Sequence, residues 1–102
     1  MTGKMSRSKG LRGEREVFKL FEAAGGTVLN LDGQGDHLVE LGDVLFHVES
    51  KRSETVRMST WVAQAAREAA RPYYVPVVVW RQNHRDWQID LPFDAFLELM
   101  TK

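Results

Sequence analysis

Asp36, Glu49 and Lys51 have the residue types and spacing to gather a divalent cation beside an amine. Two apolar runs, 38–41 and 44–48, are split only by Gly42 and Asp43, a pairing that reads as a tight β-hairpin. That turn sets the register. Leu41 faces Val44, Val39 faces Phe46, and Asp36 falls opposite Glu49. Directly opposed side chains have Cβ atoms roughly 4.5–5.5 Å apart, and carboxylates that close repel unless a proton or a cation lies between them. Lys51 lies two residues past Glu49 and shares its strand face. Mg²⁺ or Mn²⁺ suits such oxygens, taking one or two carboxylates together with water and phosphate oxygens. Lys51 would then hold a water or neutralise charge developing on a phosphate. The same residues also fit a plain surface cluster in which Lys51 screens the acids.

The elements that must position these residues follow in chain order. Ser8 can cap a helix from about Lys9 to Ala24, stopped by Gly25-Gly26. Its apolar stripe is Val17, Leu20, Phe21 and Ala24, and Glu14 falls about 40° from the stripe's centre. An acid there needs a partner, or else sits at a frayed first turn favoured by the helix dipole. A first strand is expected over Thr27 to Leu31, then the loop Asp32-Gly33-Gln34-Gly35, the hairpin, and a loop from Arg52 to Met58. Ser59 or Thr60 should cap an alanine-rich helix, Trp61 to Arg71, stopped by Pro72. Tyr74 to Trp80 reads as a strand buried on both faces, Trp87 to Leu91 as an edge strand, and Asp94 as the cap of a last helix to Met100. The order α-β-β-β-α-β-β-α predicts an α/β fold with a mixed sheet flanked by helices.

With 102 residues, 43% of them hydrophobic, the chain fits one domain with a modest core. Residues 1–8 read as a flexible basic tail and 9–102 as the domain. The absence of cysteine excludes disulfides and thiolate metal sites and suits a reducing compartment. The longest apolar run, 77–80, is far too short for a bilayer, and the N-terminus lacks the apolar core of an export signal. A cytoplasmic location is therefore expected. Fourteen basic residues balance fourteen acidic ones, yet Lys4, Arg7, Lys9, Arg12 and Arg15 crowd the start, and Lys51, Arg52 and Arg57 follow the hairpin. Such local clusters can grip phosphates at zero net charge, or serve as a solubilising tail and a solvated loop.

Other polar residues compete for a role. Asp43 belongs to the turn, roughly 20 Å from Glu49 at about 3.3 Å per residue, and reads as a turn former. Glu40 pairs with Leu45 and reads as solvated. His47 shares the Glu49 face, where a lone strand histidine is expected to be packed or solvated. Gln64, on the second helix, either reaches a phosphate or is a plain helical polar residue. Trp61, Trp80 and Trp87 read as core or subunit contacts.

Lys9-Gly10, then Gly13-Glu14-Arg15-Glu16-Val17, then Asp36 thirteen residues before Glu49-Ser50-Lys51, together form a recognisable order. With the later helix and the Pro76-Val77-Val78-Val79 strand, most of the chain resembles the archaeal-type Holliday junction resolvases, also found in phages, of the PD-(D/E)XK nuclease superfamily. The resemblance implies that superfamily's core fold and a homodimer that nicks branched DNA, chiefly four-way junctions, in paired hydrolyses leaving 5′-phosphate and 3′-hydroxyl ends. If phage-encoded, the protein would work in the host cytoplasm. Asp36 and Glu49 would hold the metal with the Ser50 backbone carbonyl, Lys51 would activate water, and Glu14 would add a ligand or hold a water. Lys4, Arg7, Lys9, Arg12, Arg52, Arg57 and Gln64 would contact DNA, the basic ones without reading sequence. Gly35 stands where the superfamily name has Pro, and Ser50 replaces an apolar residue that is frequent there. A nickase or repair nuclease acting on other branched or single-stranded DNA, and a binding module without turnover, are the alternatives.

Overall fold

The computed structural model describes residues 14–29, 38–69 and 73–101. The expected tail, the start of the first helix and the loop carrying Asp36 lie outside them. Helix α1 (14–23) leads into strand β1 (Thr27–Leu29), and β2 (Leu38–Leu41) and β3 (Val44–Arg52) follow. Helix α2 (Met58–Glu68), β4 (Val75–Arg81), β5 (Gln88–Asp90) and α3 (Phe93–Met100) complete the chain. The order is the α-β-β-β-α-β-β-α expected of an α/β fold with a mixed sheet flanked by helices.

A single five-stranded mixed sheet runs β1-β2-β3-β4-β5. Among the described residues only the β3–β4 pair is parallel, and α2 makes the crossover that such a pair requires. The hairpin has the register that its turn dictates: Leu41 pairs with Val44 and Val39 with Phe46. Gly42 and Asp43 both take positive φ, 56° and 66°, the conformation that lets a two-residue turn follow the twist of its strands.

Strand alternation sorts the sheet's side chains. Val39, Phe46, Val48, Val77 and Val79 join Val17 of α1 in the main core, with Leu99 of α3 packed against them. On the opposite face Val78 packs under Trp61 and Ala65 of α2. Val77, Val78 and Val79 are therefore all buried in succession, as a strand covered on both sides demands.

Helix α1 ends as its glycines require. Gly25 takes φ 96°, its N–H donates to the Glu22 carbonyl, and the Gly26 N–H donates to the Phe21 carbonyl at 2.8 Å. A Cβ on Gly26 would lie 2.9 Å from the Phe21 oxygen and 3.3 Å from the Glu40 oxygen, both backbone atoms. Gly26→Ala is thus expected to destabilise the fold by roughly 1–3 kcal/mol in urea denaturation, the usual cost of overpacking.

Several expected boundaries move. β3 runs on to Arg52 because β4 continues to pair with it through Arg81. α2 begins at Met58, before Ser59 and Thr60, and no side chain caps it. Half-buried Met58 packs against the Trp61–Val78 cluster, and that apolar contact replaces the expected hydroxyl cap. β4 starts one residue late and β5 is trimmed to its middle, with Trp87 and Leu91 packed against the main core on either side. Pro92, not Asp94, occupies the N-cap of α3, and the Asp94 carboxylate accepts the Ala95 N–H inside the first turn. The stripe on α1 is also narrower than expected: Val17 is buried, whereas Leu20 is 52% exposed. Among the described residues, no helix is long and apolar enough to cross a membrane.

Candidate metal centre

Alternation along β3 turns Phe46, Val48 and Ser50 toward the main core and His47, Glu49 and Lys51 toward α2. On α2, Gln64 and Glu68 lie four residues apart and so share one side of the helix. Where these rows meet, polar groups form a chain. Lys51 Nζ donates to Gln64 Oε1 at 3.1 Å, and Gln64 Nε2 donates to Glu68 Oε1 at 3.2 Å. The Glu68 carboxyl stands against Glu49, whose Oε1 lies 3.3 Å from His47 Nε2.

Burial makes this more than a surface cluster. His47 is 5% exposed and Glu49 6%, while Glu68 stands at the solvent rim. Burial alone would raise the Glu49 pKa, but hydrogen bonds from His47 and Glu68 and the Lys51 charge outweigh it, lowering the carboxyl to about 2. Glu68 moves the other way, raised by its hydrogen bond to Glu49 and by desolvation. At neutral pH the site therefore presents a buried anion with a second carboxyl held against it.

One donor atom from each of His47, Glu49 and Glu68 lies within 4.8 Å of the others. Two donors bonded to one small divalent ion at about 2.1 Å each sit at most about 4.2 Å apart. Neighbouring positions of such a shell lie only about 3 Å apart, so closing on an ion takes side-chain movements of up to about 2 Å, and Glu68, at the exposed rim, is the member placed to make them. The donor set fits a divalent cation.

The sequence candidates are distributed around this centre. Glu49 and Lys51 lie in it. Asp36, Lys4, Arg7, Lys9 and Arg12 lie outside the described residues. Glu14 is half-buried near the start of α1, the helix whose Val17 packs on the sheet's other face. Gln64, considered as a phosphate contact, instead bridges Lys51 and Glu68. Arg52 is half-buried next to Arg81 on β4, and Arg57 is exposed at the α2 N-cap. Asp43 sits in the turn, and Glu40 is exposed opposite Leu45. Trp61, on α2, is a core residue, and half-buried Trp80 of β4 packs against it. The Trp87 ring packs beneath the Arg81 guanidinium at 5.1 Å.

Two members of the centre were not anticipated. His47 is packed, as a strand histidine is expected to be, and its packing partner is Glu49, which brings it into the centre. The missed signal was His47-x-Glu49-x-Lys51, three polar residues on one face of an otherwise apolar strand. Glu68 carried only a faint one, its place one turn beyond Gln64.

No family model matches this chain, and no curated protein matches it in sequence. Among solved structures it is similar to Hjc, a Holliday junction resolvase from the archaeal hyperthermophile Archaeoglobus fulgidus. The TM-score is 0.50 at 16% identity, covering 81% of this chain and 75% of that one. The two share a fold.

Proposed function

We propose that the chain is a divalent-metal-dependent endonuclease for branched DNA, resolving four-way junctions by paired nicks. The observation that carries this reading is Glu49, a buried and ionised carboxylate flanked by His47, Glu68 and Lys51 on a resolvase-like sheet. Glu49 would be the central ligand, joined by Asp36 and the Ser50 carbonyl as the sequence resemblance implies; Glu14, which the resemblance also implies, stands on α1, the helix packed against the sheet's other face. When bound, a divalent ion polarises the scissile phosphate and eases deprotonation of water. Lys51, steadied by Gln64, would orient the attacking water and offset charge as the P–O3′ bond breaks, leaving a 5′-phosphate and a 3′-hydroxyl.

Residues 1–8 serve in this reading as a basic tail. With Lys9, Arg12, Arg52 and Arg57 it would grip backbone phosphates around the site. A junction with near two-fold symmetry calls for a two-fold dimer. Exposed apolar residues on the late elements, Ile89 on β5 and Phe93, Phe96 and Met100 on α3, support such a contact.

Labelled four-way junction, linear duplex and flap, each with Mg²⁺, Mn²⁺ or chelator, test the reading directly. Symmetric nicking of the junction, dependent on metal, is the expected result. Equal cutting of all three substrates would replace it with a general nuclease. Tight binding without cutting in any metal would leave only a binding module.

A further inference from the structure

The nuclease reading names a divalent ion without choosing one, and the donor set makes the choice. Of the donors that converge at Glu49, one is an imidazole nitrogen, and it is as buried as the carboxylate it touches. Mg²⁺ is a hard ion that keeps oxygen ligands and waters in a near-ideal octahedron. Imidazole nitrogen suits Zn²⁺, Cu²⁺, Fe²⁺ and Ni²⁺, and Mn²⁺, a transition ion that suits carboxylate oxygen as Mg²⁺ does, is the oxygen-preferring ion better able to accept the nitrogen.

The geometry is also of the right kind. His47 and Glu49 rise side by side from β3, two residues apart, and Glu68 approaches from α2 above them. One nitrogen and two carboxylate oxygens thereby converge from two elements, with the remaining directions open at the rim. Three converging donors with open positions are a common way of holding a transition ion that must also meet substrate.

We propose that His47, Glu49 and Glu68 form a mixed nitrogen–oxygen centre that selects Mn²⁺ over Mg²⁺, with His47 setting the preference. This rests on the metal-site part of the functional reading and adds two ligands that the sequence resemblance does not supply. Glu68 also ties the centre to α2, so the helix that covers the sheet helps to close the metal shell.

The test uses the full chain and the metal alone, without DNA. Mn²⁺ binding is followed by loss of the free-ion EPR signal, and Mg²⁺ by its competition for the same site. Wild type should bind Mn²⁺ at least roughly tenfold more tightly than Mg²⁺, and bound Mn²⁺ should show nitrogen coupling to one imidazole in pulsed EPR. His47→Gln should abolish that coupling and weaken Mn²⁺ by roughly 10–100-fold while changing Mg²⁺ little. Glu68→Gln, at an exposed position, should weaken both ions. Equal affinity for the two ions, or wild-type Mn²⁺ binding without nitrogen coupling, overturns the proposal. The wild-type spectrum decides the matter even if His47→Gln fails to fold. Cleavage is a separate outcome. Mn²⁺ selectivity without junction cutting would sink the nuclease reading alone, and cutting that Glu49→Gln abolishes but His47→Gln spares in either metal would sink this one alone.

Discussion

Glu49→Gln is expected to lower metal-dependent junction cleavage by roughly 10²–10³-fold or more while leaving junction binding intact. The substitution keeps the side chain's size and one carbonyl oxygen, so the 6%-exposed position stays filled. What disappears is the charge. In the wild type that charge is held ionised against its own burial by His47, Glu68 and Lys51. The pH dependence follows in sign. The Glu49 pKa is lowered in the fold, so its stabilising contribution is present above about 4.5 and fades as pH falls toward about 2. Glu68 is raised, so its own contribution is present at low pH and is lost as pH rises through its folded value. Removing the Glu49 charge should also relax Glu68 toward ordinary behaviour, a shift that NMR titration of its carboxyl reads directly. Gel assays on labelled junctions measure cleavage and binding together. Retained cutting by the variant would move the chemistry elsewhere in the chain.

What was legible in the sequence follows from periods and turns. Gly42-Asp43 has few options as a two-residue link between apolar runs, so its positive-φ geometry and the Val39–Phe46 pairing could be read in advance. Period-two alternation then placed Glu49 and Lys51 on one face without any knowledge of the rest. The partners of Glu49 were not readable in this way. Helical spacing shows that Gln64 and Glu68 share a side of α2, but not which strand residues lie beneath that side. That depends on how Ala65 and Trp61 seat the helix on Val78, which is a matter of packing. The same contact overrode local capping signals when Met58 drew the helix start ahead of Ser59 and Thr60. His47 failed for a different reason: its residue type is ambiguous until its neighbour is known. The pairing of Asp36 with Glu49 lies outside the described residues, so that part of the hairpin argument still belongs to the proposal.

Because packing seats the helix that carries Gln64 and Glu68, truncating its anchor should have the largest effect on stability. Trp61 is 7% exposed, packs with Ala65 and Val78, and sits with its ring centroid 6.3 Å from that of Trp80. Trp61→Ala removes most of that apolar contact and leaves a cavity beneath a helix of eleven residues. The expected cost is roughly 3–5 kcal/mol, a large share of the roughly 5–15 kcal/mol that holds a domain together. At roughly 4–8 °C per kcal/mol for a small domain, Tm should fall by more than about 12 °C. Leu97→Ala on α3, where the side chain is 45% exposed, provides a contrast and should stay within about 0.5 kcal/mol. The loss should also reach the centre. A helix freed from its anchor no longer holds Glu68 against Glu49, so Mn²⁺ affinity should drop in Trp61→Ala even well below its Tm. Urea denaturation and metal titration of the same samples measure both effects. A stability cost under about 1 kcal/mol would show that α2 is seated by other contacts, and undisturbed metal affinity would detach Glu68 from the centre.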